Sequence, residues 1–165
     1  DELALFHDRD YIDAVMRAEQ AGDLAEPERE KYSLGVRGNP FFAEMFRRPA
    51  TACGGSLAAA ALVADGMARA VFNPAGGTHH GRRDFNDPVL ALLSLLRSGM
   101  SRLVYLDIDA HHCDGVQAAF EGDPRLRIIS VHEVDRWPRT GRADDDPGVG
   151  AVDISVPRGF SETER

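Results

Sequence analysis

Apolar positions along the chain fall into two kinds of run, one at helical spacing and one near-continuous. Tyr11, Ile12, Val15 and Met16 recur at helical spacing, with Asp8 or Asp10 as a cap and Gly22 as a stop. Residues 23–33, DLAEPEREKYS, have no apolar period and read as a polar surface loop. Residues 34–49 set Phe41, Phe42, Met45 and Phe46 among Gly35, Gly38, Pro40 and Pro49, which predicts a loop and a short helix. Residues 51–66, TACGGSLAAAALVADG, predict a buried helix whose small side chains allow close packing. Asp87 is placed to cap a helix through Val89, Leu90, Leu92, Leu93, Leu95 and Leu96, ended by Gly99. A short helix is expected over Val116 to Phe120.

The continuous runs are Ala68–Phe72, Arg102–Asp107, Arg127–His132 and Ala151–Val156, each of strand length. Strands rich in Val, Ile and Leu that alternate with helices predict a parallel α/β sheet covered on both faces. Such sheets bind ligands beyond the carboxyl ends of their strands. No internal repeat is visible, and no Pro-, Gly- or Ser-rich linker divides the chain.

Composition narrows the picture. The 165 residues are 43% hydrophobic and 28% charged, ordinary for a globular domain with a core. A formal charge of −8 disfavours non-specific nucleic-acid or anionic-lipid binding, and leaves a cationic substrate open. Two distant cysteines, Cys53 and Cys113, argue against a disulfide framework and for a reducing, cytoplasmic setting. No apolar run is long enough for a membrane span, and the first residues have no signal-peptide character.

The candidate chemistry lies at two strand ends. The first is LDIDAHHCDG, residues 106–115. If the strand stays extended, Asp107, Asp109 and His111 share a face. Two carboxylates and an imidazole suit zinc or another first-row divalent metal, although a strand ending in acidic residues also reads as a helix-capping turn. The second is GGTHH, residues 76–80. Its glycines let backbone approach a ligand, and adjacent imidazoles His79 and His80 suit acid–base work; a loop with two solvated or core histidines is the alternative. His7 and His132 read as structural groups, Cys53 and Cys113 as packing, and Asp144–Asp146 as a solvated loop.

Taken in order, GGTHH, FND, YLDIDAHHCDGVQAAF and ISVHE resemble the histone deacetylase superfamily, in particular its bacterial acetoin-utilisation and acetylpolyamine-deacetylase-like branch. The resemblance implies an arginase/deacetylase-like three-layer α/β fold with a central, mostly parallel sheet. It implies one zinc ion and hydrolysis of acetyl-lysine or acetyl-polyamine amides. Asp109 and His111 would be zinc ligands. His79 and His80 would be the tandem active-site histidines, with Asp107 and Asp114 as the carboxylates behind them. Ser130 and Val131, with Asp107, Asp109 and His111, would form a monovalent-cation site, usually potassium. Trp137–Gly141 resembles a Pro-x-Thr-Gly loop at the rim.

The sequence also departs from the family pattern. The family's third zinc ligand lies well past His132 and its oxyanion-stabilising tyrosine further still; Tyr11, Tyr32 and Tyr105 do not match it. The stretch GRRDF after His80 is short, without the family's Gly-Phe-Cys. Gly38 stands where the family carries a substrate-binding aspartate, and Cys113 replaces a glycine. Residues 1–165 therefore read as the N-terminal and central part of one domain, with the C-terminal part absent. Two functional readings follow: a zinc-dependent deacetylase acting on acetylated lysine or polyamine, or an inactive deacetylase-like binding module or truncated fragment. The expected partner is the acetylated substrate, with no nucleic acid and no membrane. An unpaired sheet edge leaves association into oligomers open.

Overall fold

The computed structural model describes residues 2–36, 38–81 and 85–160. Most of the short stretch after His80 therefore lies outside the described residues. The chain divides into two compact units, Asp1–Ser98 and Gly99–Arg165.

The first unit is helical. A 3-10 turn, Glu2–Leu5, leads into α1 (Arg9–Ala21), which buries Ala14, Val15 and Ala18 and ends at Gly22 with φ +71°. Residues Glu26–Tyr32 form a short helix, α2, where a loop was expected. Helix α2 has no buried residue, and charge supports it instead: Glu26 and Glu28 occupy its first turn and Arg29 and Lys31 its last, complementing the helix dipole. That device leaves no apolar period to read.

Helix α3 (Arg47–Ala64) starts four residues earlier than the small-residue pattern suggested. Glu19 of α1 accepts the N–H groups of Phe46 (2.8 Å) and Arg47 (3.1 Å), satisfying donors at its start. The expectation of a buried helix is corrected, since only Ala52, Cys53 and Ala60 are buried. Helix α4 (Asp87–Arg97) buries Val89, Leu90, Leu92 and Leu96. Its cap is Asn86, not Asp87: the Asn86 side chain accepts the Val89 N–H at 3.0 Å. The core of this unit gathers Ala14, Val15, Leu34, Met45, Cys53, Phe85 and Leu90.

The expected strand at Ala68–Phe72 does not form. An isolated extended segment has no ladder to join, and Val71 and Phe72 are 42% and 85% exposed.

The second unit carries a parallel sheet in the order β1 (Leu103–Asp107), β2 (Leu126–Glu133), β3 (Ala151–Val156). Helix α5 (Asp114–Ala119) follows β1. In register, Asp107 pairs with Ser130 and Ser130 with Asp153, so one polar row crosses all three strands near their carboxyl ends. Leu126, Ile128, Ser130 and His132 line the buried side of β2. Val104 and Leu106 share the face of β1 opposite that of Asp107 and are 67% and 59% exposed.

His7 is buried between Phe6, Tyr11 and Phe85, and its Nε2 accepts the Asn86 N–H at 2.9 Å. Burial lowers its pKa from 6.5 to about 4, against the opposing charge of Asp8. Protons therefore bind the unfolded chain more readily between those values. The neutral ring's contribution is complete above pH 6.5 and is lost as pH falls toward 4, by roughly 3 kcal/mol. Urea unfolding across that range is expected to show this slope in the wild type and a flatter one in His7→Gln; parallel slopes would contradict it.

Candidate active site

The two clusters of sequence-predicted residues lie in different units. In the first unit, His79 is 5% exposed and His80 half-buried. Their Nε2 atoms lie 3.2 Å apart, with ring centroids at 4.2 Å. One imidazole donates and the other accepts, according to tautomer, so a proton can sit on either.

The loop that presents them is held through its backbone. Asp87 Oδ1 accepts the N–H groups of Gly77 (2.9 Å) and Thr78 (2.8 Å). Asn86 Nδ2 donates to the His79 carbonyl at 2.9 Å. Asn86 and Asp87 are 0% and 2% exposed, so the loop is anchored on buried side chains. Gly77 holds φ +105°, a conformation that favours glycine.

In the second unit, β1 ends at Asp107, and the extended geometry does not continue to His111 as the spacing argument assumed. Each carboxylate instead accepts the N–H two residues ahead: Asp107 Oδ1 from Asp109 (3.0 Å), and Asp109 Oδ1 from His111 (2.7 Å). Such side-chain turns bend a strand end. The Tyr105 hydroxyl donates to Asp107 Oδ2 at 2.6 Å, and His111 Nδ1 to Asp109 Oδ1 at 2.7 Å. Asp107 is buried, whereas the Asp109 and His111 side chains are 51% and 35% exposed. Ser130 and Val131 are adjacent on β2, with Ser130 opposite Asp107. Asp114 is the first residue of α5.

Asp109 and His111 are the donor types of a zinc site, but a catalytic zinc takes three protein donors. Among the described residues, no three His, Cys, Asp or Glu are grouped to hold a metal ion. The pair suits the metal by chemistry and falls short by number.

A buried polar network that sequence reasoning missed lies behind this strand end. His112 Nδ1 donates to Thr140 Oγ1 at 2.8 Å and Nε2 to Gln117 Oε1 at 2.7 Å. Asp153 Oδ1 faces the same Nε2 at 3.2 Å, off the line of a good hydrogen bond, so it acts on the imidazole chiefly by charge. Burial opposes the charged imidazole, but the close Asp153 carboxylate, the bond to Gln117 and the charge of Asp114 outweigh it and raise the His112 pKa. Burial likewise opposes the Asp153 carboxylate, and His112 outweighs it and lowers that pKa. His132, expected to be structural, is buried: Nδ1 meets Ser130 Oγ at 2.9 Å and Nε2 donates to the Gly141 carbonyl at 2.7 Å. A Cβ at Gly141 would come within 2.7 Å of His112 and 2.8 Å of His132. The available signal was Asp153, a charge in the otherwise apolar strand AVDISV. Burial pushes the thiols of Cys53 and Cys113 up to about 12, which leaves both unreactive.

Residues 1–164 match the histone deacetylase domain, and the chain belongs to the histone deacetylase family. It is 39% identical over 154 residues to the acetoin utilization protein AcuC of Bacillus subtilis, which covers 88% of this chain and 40% of that protein. It is 33% identical to histone deacetylase 8 of Danio rerio, with the same coverage. The crystal structure of an HDAC homologue from Aquifex aeolicus superposes with a TM-score of 0.85 at 34% identity, covering 96% of this chain and 46% of that one. The chain thus spans about two fifths of the curated relatives it matches. The arginase/deacetylase-like α/β architecture, in part, is the fold. No helix among the described residues is long and apolar enough to cross a membrane.

Removing Asp153 would strip the buried His112 imidazole of the carboxylate that faces it. Asp153→Ala is expected to lower the unfolding free energy by about 3 kcal/mol. Asp153→Asn, which keeps the shape, is expected to lose less. Urea unfolding of the two variants checks this; a loss under about 1 kcal/mol in Asp153→Ala would contradict the pairing.

Proposed function

We propose that this chain is the tandem-histidine part of a zinc-dependent deacetylase that hydrolyses acetyl-lysine or acetyl-polyamine amides. The observation that carries the reading is the His79–His80 pair, with Nε2 atoms at 3.2 Å on a backbone fixed by buried side chains. Amide hydrolysis needs a proton taken from water and one given to the departing amine. In two touching imidazoles one ring nitrogen donates and the other accepts, which suits both tasks.

Asp109 and His111 would hold the metal, with a further donor from polypeptide that family members carry beyond the matched stretch. A bound zinc would polarise the acetyl carbonyl and acidify water. Asp107 and Asp114 are the supporting carboxylates. Ser130 and Val131, with Asp107, Asp109 and His111, would hold the monovalent cation, potassium by resemblance. An acidic protein with charge −8 suits a cationic polyamine or lysine-rich substrate better than nucleic acid. Buried, reduced Cys53 and Cys113 favour a cytoplasmic setting.

A second reading, an inactive deacetylase-like module that binds an acetylated ligand, is favoured by the count of two metal donors. Metal analysis and an acetyl-lysine peptide assay on the full-length protein separate the two. The enzyme reading expects about one zinc per chain and measurable hydrolysis. No zinc and no hydrolysis would favour the binding module. In the enzyme, His80→Ala is expected to abolish turnover and keep the zinc; loss of zinc would make His80 a ligand and overturn the assignment.

A further inference from the structure

We infer that Asp87 is a positioning residue for the tandem histidines, braced from α3 by a one-way relay through Ser56 and Asn73. The inference rests on the reading of His79 and His80 as proton carriers. By sequence Asp87 is a helix cap, but Asn86 performs that task and leaves the Asp87 carboxylate for something else.

Every hydrogen bond the structure gives that carboxylate is one it accepts. Oδ1 takes Gly77 N–H at 2.9 Å and Thr78 N–H at 2.8 Å; Oδ2 takes the Ser56 hydroxyl at 2.5 Å and Gly77 N–H at 3.1 Å. A serine has one hydroxyl proton, and here it goes to Asp87. The Ser56 oxygen is left to accept from Asn73 Nδ2 at 2.8 Å, and Asn73 Nδ2 also donates to the Ala52 carbonyl at 3.0 Å. The direction is therefore fixed from Asn73 to Ser56 to Asp87.

Gly76 reports independently how tightly these groups converge. A Cβ there would stand 2.5 Å from Asp87 Oδ2, 2.9 Å from Ser56 Oγ and 3.0 Å from Asn73 Nδ2. No side chain fits where the three meet. Three and four residues later come His79 and His80. Asp87 thus fixes the backbone entering the histidine pair, while Asn86 fixes the His79 carbonyl. A carboxylate is needed for this arrangement. An amide keeping its oxygen toward Gly77 and Thr78 would turn a donor toward Ser56, whose own proton would then lose its acceptor.

The test compares Asp87→Asn and Gly76→Ala with Val89→Ala, a buried change on α4 outside the relay, all in the full-length protein. Amide exchange at residues 77–80 and the imidazole 15N resonances of His79 and His80 read the loop. Steady-state kinetics and zinc content read the site. In Asp87→Asn and Gly76→Ala, exchange is expected to rise at least about tenfold at the loop and little within α3 and α4. The imidazole resonances should shift, and kcat should fall about 100-fold with KM and zinc within twofold. Val89→Ala should lower the melting temperature yet keep loop exchange, resonances and kcat. Unchanged loop exchange and resonances in Asp87→Asn would overturn the inference. So would an equal kcat loss in Val89→Ala at matched stability. A wild type that hydrolyses no acetyl amide would remove the deacetylase reading, while exchange and resonances would still decide the role of Asp87.

Discussion

Two backbone N–H groups, those of Gly77 and Thr78, need acceptors in a loop that carries a buried histidine, and a single carboxylate supplies them. Much of the first unit follows from that constraint. Asp87 has to lie at the start of α4, so Asn86 takes over the cap. Helix α3 has to pass close enough for Ser56 to reach Asp87, which suits a helix with Gly54, Gly55 and alanines along it. Gly76 has to lack a side chain. The Asp87 carboxylate is 2% exposed, and leaving a buried polar group unpaired costs about 1–3 kcal/mol, so the loop and the two helices support one another.

The second unit solves a related problem at the end of a sheet. Its polar row, Asp107, Ser130 and Asp153, crosses all three strands in register. Each member has a partner: Tyr105 for Asp107, His132 for Ser130, and His112 for Asp153. The row is buried, while the Asp109 and His111 side chains beyond it are 51% and 35% exposed.

Much of this was legible from residue order. Helices α1 and α4 and all three strands were visible because their apolar spacing matches their structure. Other features depend on contacts that spacing does not encode. Helix α2 is held by end charges and buries nothing, so no period marked it. The run at Ala68–Phe72 has strand composition but no ladder partner among the described residues. Asp87 looked like a cap because Asp is a good one; only the fold shows Asn86 in that place. The extended reading of Asp107 to His111 failed because a carboxylate can bond the backbone two residues ahead, which bends the chain. Asp153 could have been flagged as a charge inside an apolar strand, but its partner His112 lies 41 positions away (153 − 112).

Under the proposed function two kinds of histidine would serve one reaction, His111 as a ligand and His79 and His80 as proton carriers. X-ray absorption at the zinc edge of the full-length protein tests that division most directly. The expected spectrum contains one imidazole in an otherwise oxygen shell, lost in His111→Ala and kept when His79 and His80 are both replaced. An imidazole signal that survives His111→Ala, or that disappears with His79 and His80, would contradict it.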